Sequence, residues 1–225
     1  EDEDQLWLYY TGNIRTGEGD GTTSGRLANQ TLMKSYNGIN LGAKEVVLDN
    51  SGYPAYCSCH VRDPKVWEQD GKRRMLLGAR HMDTHGMCLL YESDDGLDWH
   101  FSHTIYSDYA FGFVWECPNI VQLDGRDYLA ISPQGLPRLQ DRWFNRWTPG
   151  YFELPEGKHL IDTLVVDERT FVQWDFGHDF YAPQTFLTDD GRRVLIGWMG
   201  MPDEKTYTNL TIEDGWQHCS TVPRT

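Results

Sequence analysis

Trp115-Glu116-Cys117-Pro118-Asn119-Ile120-Val121-Gln122-Leu123-Asp124-Gly125-Arg126-Asp127-Tyr128-Leu129-Ala130-Ile131 is the stretch on which the fold turns. A strand carrying a polar motif runs into an Asp-Gly hairpin signal, and an apolar strand follows. The same order recurs twice. Pro64 to Trp67 leads to Asp70-Gly71 and then Met75 to Gly78, and Pro183 to Phe186 leads to Asp190-Gly191 and then Val194 to Gly197. A repeated unit of this kind has room for about four strands. Met87 to Glu92 and Trp99 to His103, around Asp94-Asp95-Gly96, supply two more in one unit. Leu164 to Asp167 and Thr170 to Trp174 supply two in the next. Repeated small sheets arranged radially make an all-β fold, the β-propeller, in which the first strand of each blade lines the channel. That geometry is expected to bring Asp63, Glu116 and the Asp179–Tyr181 turn into one funnel.

Outward from this core the pattern stays β-rich. Leu6 to Tyr10 reads as a strand, the second of an earlier unit whose first strand is absent, ending at Thr11-Gly12-Asn13. Residues 14–30 are polar and rich in Gly and Thr, which reads as a long loop near a site. Thr31 to Tyr36 and Glu45 to Leu48 follow as strands, joined through Asn37-Gly38. Residues 136–150, with two Pro and two Trp, read as an ordered loop. No long helix is visible. The chain opens without Met and closes at Thr221 to Thr225 without an end element, so a longer parent protein is expected.

Composition sets the limits. With 225 residues, 39% of them hydrophobic and 13% aromatic, the chain can bury a core. Its net charge of −14 excludes nucleic acid and anionic membranes as partners, since both need a basic patch. No signal peptide is expected from residues 1–225, and they contain no apolar run long enough to cross a membrane as a helix. Cys57, Cys59, Cys88, Cys117 and Cys219 form no CxxC pair, so zinc and thioredoxin-like sites are disfavoured. Free thiols suggest a reducing, cytoplasmic compartment, with secretion as the alternative. The sequons at Asn29 and Asn209 are short enough to arise by chance.

Glu116 is the leading candidate for chemistry. It lies in an otherwise apolar strand between Trp115 and Cys117, where poor solvation raises a carboxyl pKa toward that of a general acid. The plainer account is a strand-end Glu paired with an Arg. Asp63 stands between Arg62 and Pro64. The proline is expected to hold Asp63 extended, and the neighbouring guanidinium to keep it ionised, fit to hold sugar hydroxyls. A simple Arg62–Asp63 pair is equally good. His81 and His85 are four apart, but on no helix and without HExxH, so no metal is implied. Asp124 to Asp127 holds only part of a calcium loop and reads better as a hairpin. There is no phosphate-cradling glycine loop, and no cofactor is implied. Trp67, Trp99, Trp115, Trp174, Trp198 and Trp216 are mostly core candidates. Trp115 and Trp198 are expected to face the funnel, where a ring can pack on a sugar.

Taken together, Arg62 to Trp67 (RDPKVW), Trp115 to Asn119 (WECPN), Asp175 to Phe186 (DFGHDFYAPQTF), Gly197 to Gly200 (GWMG), Gly215 to His218 (GWQH) and Thr221 to Arg224 (TVPR) resemble glycoside hydrolase family 32. This is the invertase, sucrose-6-phosphate hydrolase and fructanase group. The resemblance implies a five-bladed propeller followed by a β-sandwich, and retaining hydrolysis of β-fructofuranosides. The implied partner is a small-molecule fructoside. Glu116 matches the general acid/base, and Asp63 the carboxylate that stabilises the transition state. Arg62, Cys117, Tyr181 and Trp198 match positions in or near the fructose pocket. The family's nucleophile, an Asp in a Trp-Met-Asn-Asp-Pro-Asn-Gly-like motif, has no counterpart here, and Asp2 and Asp4 do not match it. Retaining hydrolysis needs two carboxyls about 5 Å apart. Residues 1–225 are therefore expected to form about four blades of the propeller, without the first blade or the sandwich, and to be inactive alone. A non-catalytic fructan-binding propeller is the alternative. The choice of fructoside and the oligomeric state stay open. Arg80, His81 and Arg138 are candidates for meeting a phosphate, although surface charge is the plainer account.

Overall fold

A computed structural model describes residues 5–177, 179–203 and 210–225. The acidic opening with Asp2 and Asp4, and Asn209 of the second sequon, lie outside the described residues. Four sheets follow one another along the chain. The first holds β1 (Leu6–Arg15), β2 (Arg26–Ser35) and β3 (Glu45–Leu48). The second holds β4 (Cys57–Gln69), β5 (Lys72–His81), β6 (Gly86–Ser93) and β7 (His100–Ser107). The third holds β8 (Val114–Leu123), β9 (Arg126–Gln134) and β10 (Gly150–Glu153), then β12 (Phe171–Gln173) after the short β11 (Val165–Val166). The fourth holds β13 (Tyr181–Leu187) and β14 (Arg193–Trp198).

Local chemistry accounts for the hairpins. Asp70 and Gly71 have φ of 55° and 73°, and Asp124 and Gly125 have 50° and 75°. Two positive φ values in a two-residue loop match the twist of the flanking strands, and Asp-Gly tolerates them best. The third signal, Asp190-Gly191, closes a longer loop in which Thr188 N–H donates to the Arg192 carbonyl.

The sheets stack face to face, and the cores lie between them. Along β5, Met75, Leu77 and Ala79 join a buried cluster with Leu48, Tyr9 and Trp99, toward the first sheet. The alternate residue Leu76 joins Trp115, Leu129, Phe152 and Phe171 of the third sheet. A strand covered on both faces must be apolar at every position, which is why Met75 to Ala79 reads as an unbroken run. Each fully buried side chain of this size contributes about 1.5–3 kcal/mol. Trp99 and Trp115 are core residues, whereas Trp216 is 54% exposed and is not.

Three expectations need correction. The loop at 14–30 is much shorter, because β1 and β2 stay paired from Leu6–Ser35 to Arg15–Arg26. Their polar residues face one another: Thr11 Oγ1 donates to Gln30 Oε1 at 2.8 Å. Leu164 to Asp167 does not join the third sheet. Instead β11 pairs parallel to β7 and covers the edge of the preceding sheet, with Tyr106 N–H donating to the Leu164 carbonyl. Its place is taken by β10, at the end of the stretch read as loop. The C-terminal residues also have partners. Leu195 and Arg224 exchange N–H···O bonds of 2.8 and 3.0 Å, and Thr221 N–H donates to the Gly197 carbonyl. They add a further line of pairing beside β14.

Candidate active site

Three dipeptides, Asp63-Pro64, Cys117-Pro118 and Ala182-Pro183, occupy the same place in β4, β8 and β13. At each of them the pairing register slips. The residue before each proline has positive φ: 61° at Asp63, 49° at Cys117 and 46° at Ala182. These are bulges, where a proline's missing N–H costs the ladder nothing and the strand bends sharply. Asp63 is therefore left-handed and not extended, because the bulge overrides the preference that proline imposes. A left-handed non-glycine residue costs roughly 1–2 kcal/mol. In return the residues just before the bulge, Arg62, Glu116 and Tyr181, meet at one point.

Glu116 is at the centre, with its side chain 15% exposed. Arg62 Nε donates to Oε1 at 2.9 Å. Gln134 Nε2 and the Tyr181 hydroxyl donate to Oε2 at 2.7 and 2.5 Å. The surroundings are polar, in contrast to the apolar strand expected. Strand alternation is the reason: Trp115 points the opposite way, fully buried against Phe152, with its indole N–H on the Phe111 carbonyl. Trp115 therefore does not face the funnel.

Asp63 is bound beside this cluster. Its Oδ2 accepts the Cys117 N–H at 2.9 Å, and its own N–H donates to Thr11 Oγ1 at 3.0 Å. All four sheets thus contribute to one site. The guanidinium of Arg62 is spent on Glu116, so Asp63 has no ion pair with its neighbour. Burial pushes its carboxyl up, and the charge of Glu116 adds to this, while the Cys117 N–H opposes it. The Cys117 thiol is held well above its usual range by burial, then by Asp63 and Glu116, so it stays protonated. Burial and the Glu116 charge push the Tyr181 phenol up as well. A hydroxyl that keeps its proton can donate to a carboxylate and accept from a carboxylic acid. Tyr181 can therefore serve Glu116 in either state.

Two partners were not picked out from sequence. His60 Nδ1 accepts from Arg62 Nη1 at 2.8 Å, and its Nε2 meets the Gly21 carbonyl at 3.0 Å. Burial, followed by the Arg62 charge, lowers this imidazole to about 4. It is neutral at ordinary pH, with Nδ1 free to accept. Gln134 ends β9, two residues beyond Ser132, which pairs with Glu116. His60 shares a strand face with Arg62, and Gln134 one with Ser132, so alternation carries both signals. Trp198 pairs with Tyr181 across β13 and β14, is half-buried, and packs on His218 with ring centroids 5.2 Å apart. His81 and His85 stack on each other 4.4 Å apart, away from the cluster.

The family model for the glycosyl hydrolases family 32 N-terminal domain matches residues 1–225. The sucrose-6-phosphate hydrolase of Bacillus subtilis is 38% identical over 99% of this chain and 45% of its own length. A GH32 β-fructofuranosidase of Bombyx mori superposes with a TM-score of 0.86 at 33% identity, over 100% of this chain and 46% of that one. A variant of that silkworm enzyme has been solved in complex with sucrose. The chain spans about half the length of the curated relatives it matches. With a match to that family's N-terminal domain along its whole length, the chain belongs to glycosyl hydrolases family 32.

Proposed function

We propose that the longer protein containing this domain hydrolyses terminal β-fructofuranosides, such as sucrose or sucrose 6-phosphate, with retention. The observation that carries this reading is Glu116, bonded by Arg62, Gln134 and Tyr181 and set one backbone bond away from Asp63. Glu116 is the general acid/base. It protonates the glycosidic oxygen as the fructosyl bond breaks, then takes a proton from the water that releases fructose. Arg62, positioned by His60, holds one oxygen of Glu116 still, and Tyr181 adjusts its hydrogen bond as the proton comes and goes. Asp63 binds fructose hydroxyls and stabilises the developing oxocarbenium charge. Trp198 and Cys117 wall the fructose pocket, Cys117 also through its N–H to Asp63.

Among the described residues no carboxylate other than Asp63 is hydrogen-bonded into the Glu116 cluster. One Asp63 oxygen is committed to the Cys117 N–H. The sequence holds no Trp-Met-Asn-Asp-Pro-Asn-Gly-like motif, and on that ground we assign the nucleophile to a part of the longer protein outside this chain, and the chain to about four blades of a five-bladed propeller. The five free thiols fit a reducing compartment.

Sucrose hydrolysis, assayed side by side on residues 1–225 and on the full-length protein, tests this reading. Activity confined to the full-length protein is expected. Activity in the 225-residue chain would show that a carboxylate within it acts as nucleophile. Inactivity of both, with fructan still bound, would favour the binding-propeller alternative.

A further inference from the structure

Three cationic side chains were candidates for meeting a phosphate, and the structure separates them. His81 is stacked between Tyr56 and His85, with Asp83 3.5 Å away. Arg138 is exposed and rests on Phe144. Arg80 differs from both. Val61 pairs with Ala79, so His60 and Arg80 flank that pair on the face of β4 and β5 that also carries Arg62 and Gly78. This face meets the third sheet, because a Cβ on Gly78 would touch the Trp115 carbonyl. Arg80 thus shares a surface with the catalytic cluster. It lies two residues, about 7 Å, along β5 from the partner of Arg62.

Its charge is uncompensated. Arg62 spends its guanidinium on Glu116, but no ion pair among the described residues includes Arg80, and its buried Nε has no hydrogen-bond partner. The guanidinium lies over the Phe113 ring, 5.3 Å from its centroid. Trp147 meets that ring edge-on at 5.6 Å. Both aromatics are half-buried. In a chain of net charge −14, a partly desolvated cation that makes no ion pair among the described residues suits an anion. The planar fork of Arg suits phosphate oxygens. That spacing along β5, about one sugar ring from the strand position opposite Arg62, suits a phosphate carried on the leaving group.

We infer that Arg80 binds a phosphate group on the leaving sugar, with Phe113 and Trp147 walling that sugar, so that Arg80 sets the preference for a phosphorylated over a neutral fructoside. This rests on the fructosidase reading of Glu116.

The test compares kcat/KM for sucrose 6-phosphate and for sucrose in the full-length protein, in Arg80→Gln and in Arg80→Lys. Arg80→Gln is expected to lower the ratio of the two at least tenfold, through KM for the phosphorylated substrate, with Arg80→Lys in between. Glucose 6-phosphate is expected to inhibit sucrose hydrolysis more strongly than inorganic phosphate does, and to lose that advantage in Arg80→Gln. An unchanged ratio overturns the inference. So does inorganic phosphate inhibiting as well as glucose 6-phosphate, since the anion would then not be read as part of the sugar. If the wild type hydrolyses neither substrate, the fructosidase reading fails. Calorimetric titration of glucose 6-phosphate into wild type and Arg80→Gln then decides Arg80 alone: weaker binding to the variant supports it, and equal or absent binding overturns it. Thermal melts show that each variant is folded. Arg80→Lys carries the test if Arg80→Gln is not.

Discussion

At the residue scale, function and stability oppose each other at Asp63. Burial raises its folded pKa above the ordinary value of 3.8. Its ionised form is therefore less favourable in the fold than in the unfolded chain. The penalty is absent below pH 3.8, grows as pH rises, and is complete above the raised folded value. Asp63→Asn removes the charge and keeps an oxygen for the Cys117 N–H. Asn also tolerates the left-handed φ of 61° better than most residues. The melting temperature of Asp63→Asn is expected to exceed that of wild type at neutral pH, with the gain shrinking as pH falls toward 3.8, while hydrolysis by the full-length variant is lost. A gain that does not change with pH would mean that the Asp63 charge is not disfavoured by the fold. The sequence offers Arg62 two acids, its neighbour Asp63 and, on the plainer account of Glu116, a strand-end Glu paired with an Arg; the structure makes the second pair. Arg62 adjoins Asp63 in sequence, and the bulge at Asp63-Pro64 turns it toward Glu116. No pattern of neighbours in sequence can show that.

At the element scale, close approach of β5 and β8 makes the site possible. Gly78 lies opposite Arg62, and a Cβ there would come within 2.2 Å of the Trp115 carbonyl and 3.2 Å of Pro118 Cδ. The first of these is backbone and cannot rotate away. Gly78→Ala is expected to destabilise by about 1–3 kcal/mol, as overpacking does. It should also weaken hydrolysis in the full-length protein, because the strand carrying Glu116 must move from the one carrying Arg62. A thermal melt and an activity assay of the variant check both. An unchanged melting temperature would mean that the two strands are free to separate. The repeated hairpins were legible because Asp-Gly turns and apolar strands are local signals. The sheet assignment of Leu164 to Asp167 was not, because β11 joins its sheet through a parallel pairing with β7, far away in sequence. Residues 14–15 and 26–30 read as loop because polar residues outnumber the apolar Ile14, Leu27 and Ala28 there, and the pairing rests largely on backbone bonds and on the Thr11–Gln30 contact.

At the scale of the whole molecule, the site exists only where the sheets meet. Thr11, Arg62 with Asp63, Glu116 with Cys117 and Gln134, and Tyr181 come from four different sheets. Most bonds within the site span more than fifty positions of sequence. The convergence followed from recognising repeats, because equivalent strands of a propeller line one axis. His60 and Gln134 lie beyond the apolar runs that mark these strands: β4 begins at Cys57, well before Pro64, and β9 continues past Ile131 to Gln134. The central claim is that this convergence makes Glu116 the acid/base of a fructosidase. The most direct test is kcat for sucrose in the full-length protein and in Glu116→Gln. Gln keeps the size and the hydrogen-bonding oxygen but cannot transfer a proton. A fall of roughly 10²–10⁴ in kcat with the variant folded is predicted, the usual contribution of general acid–base catalysis. A kcat within a few-fold of wild type would contradict the account and move the proton transfer to another residue.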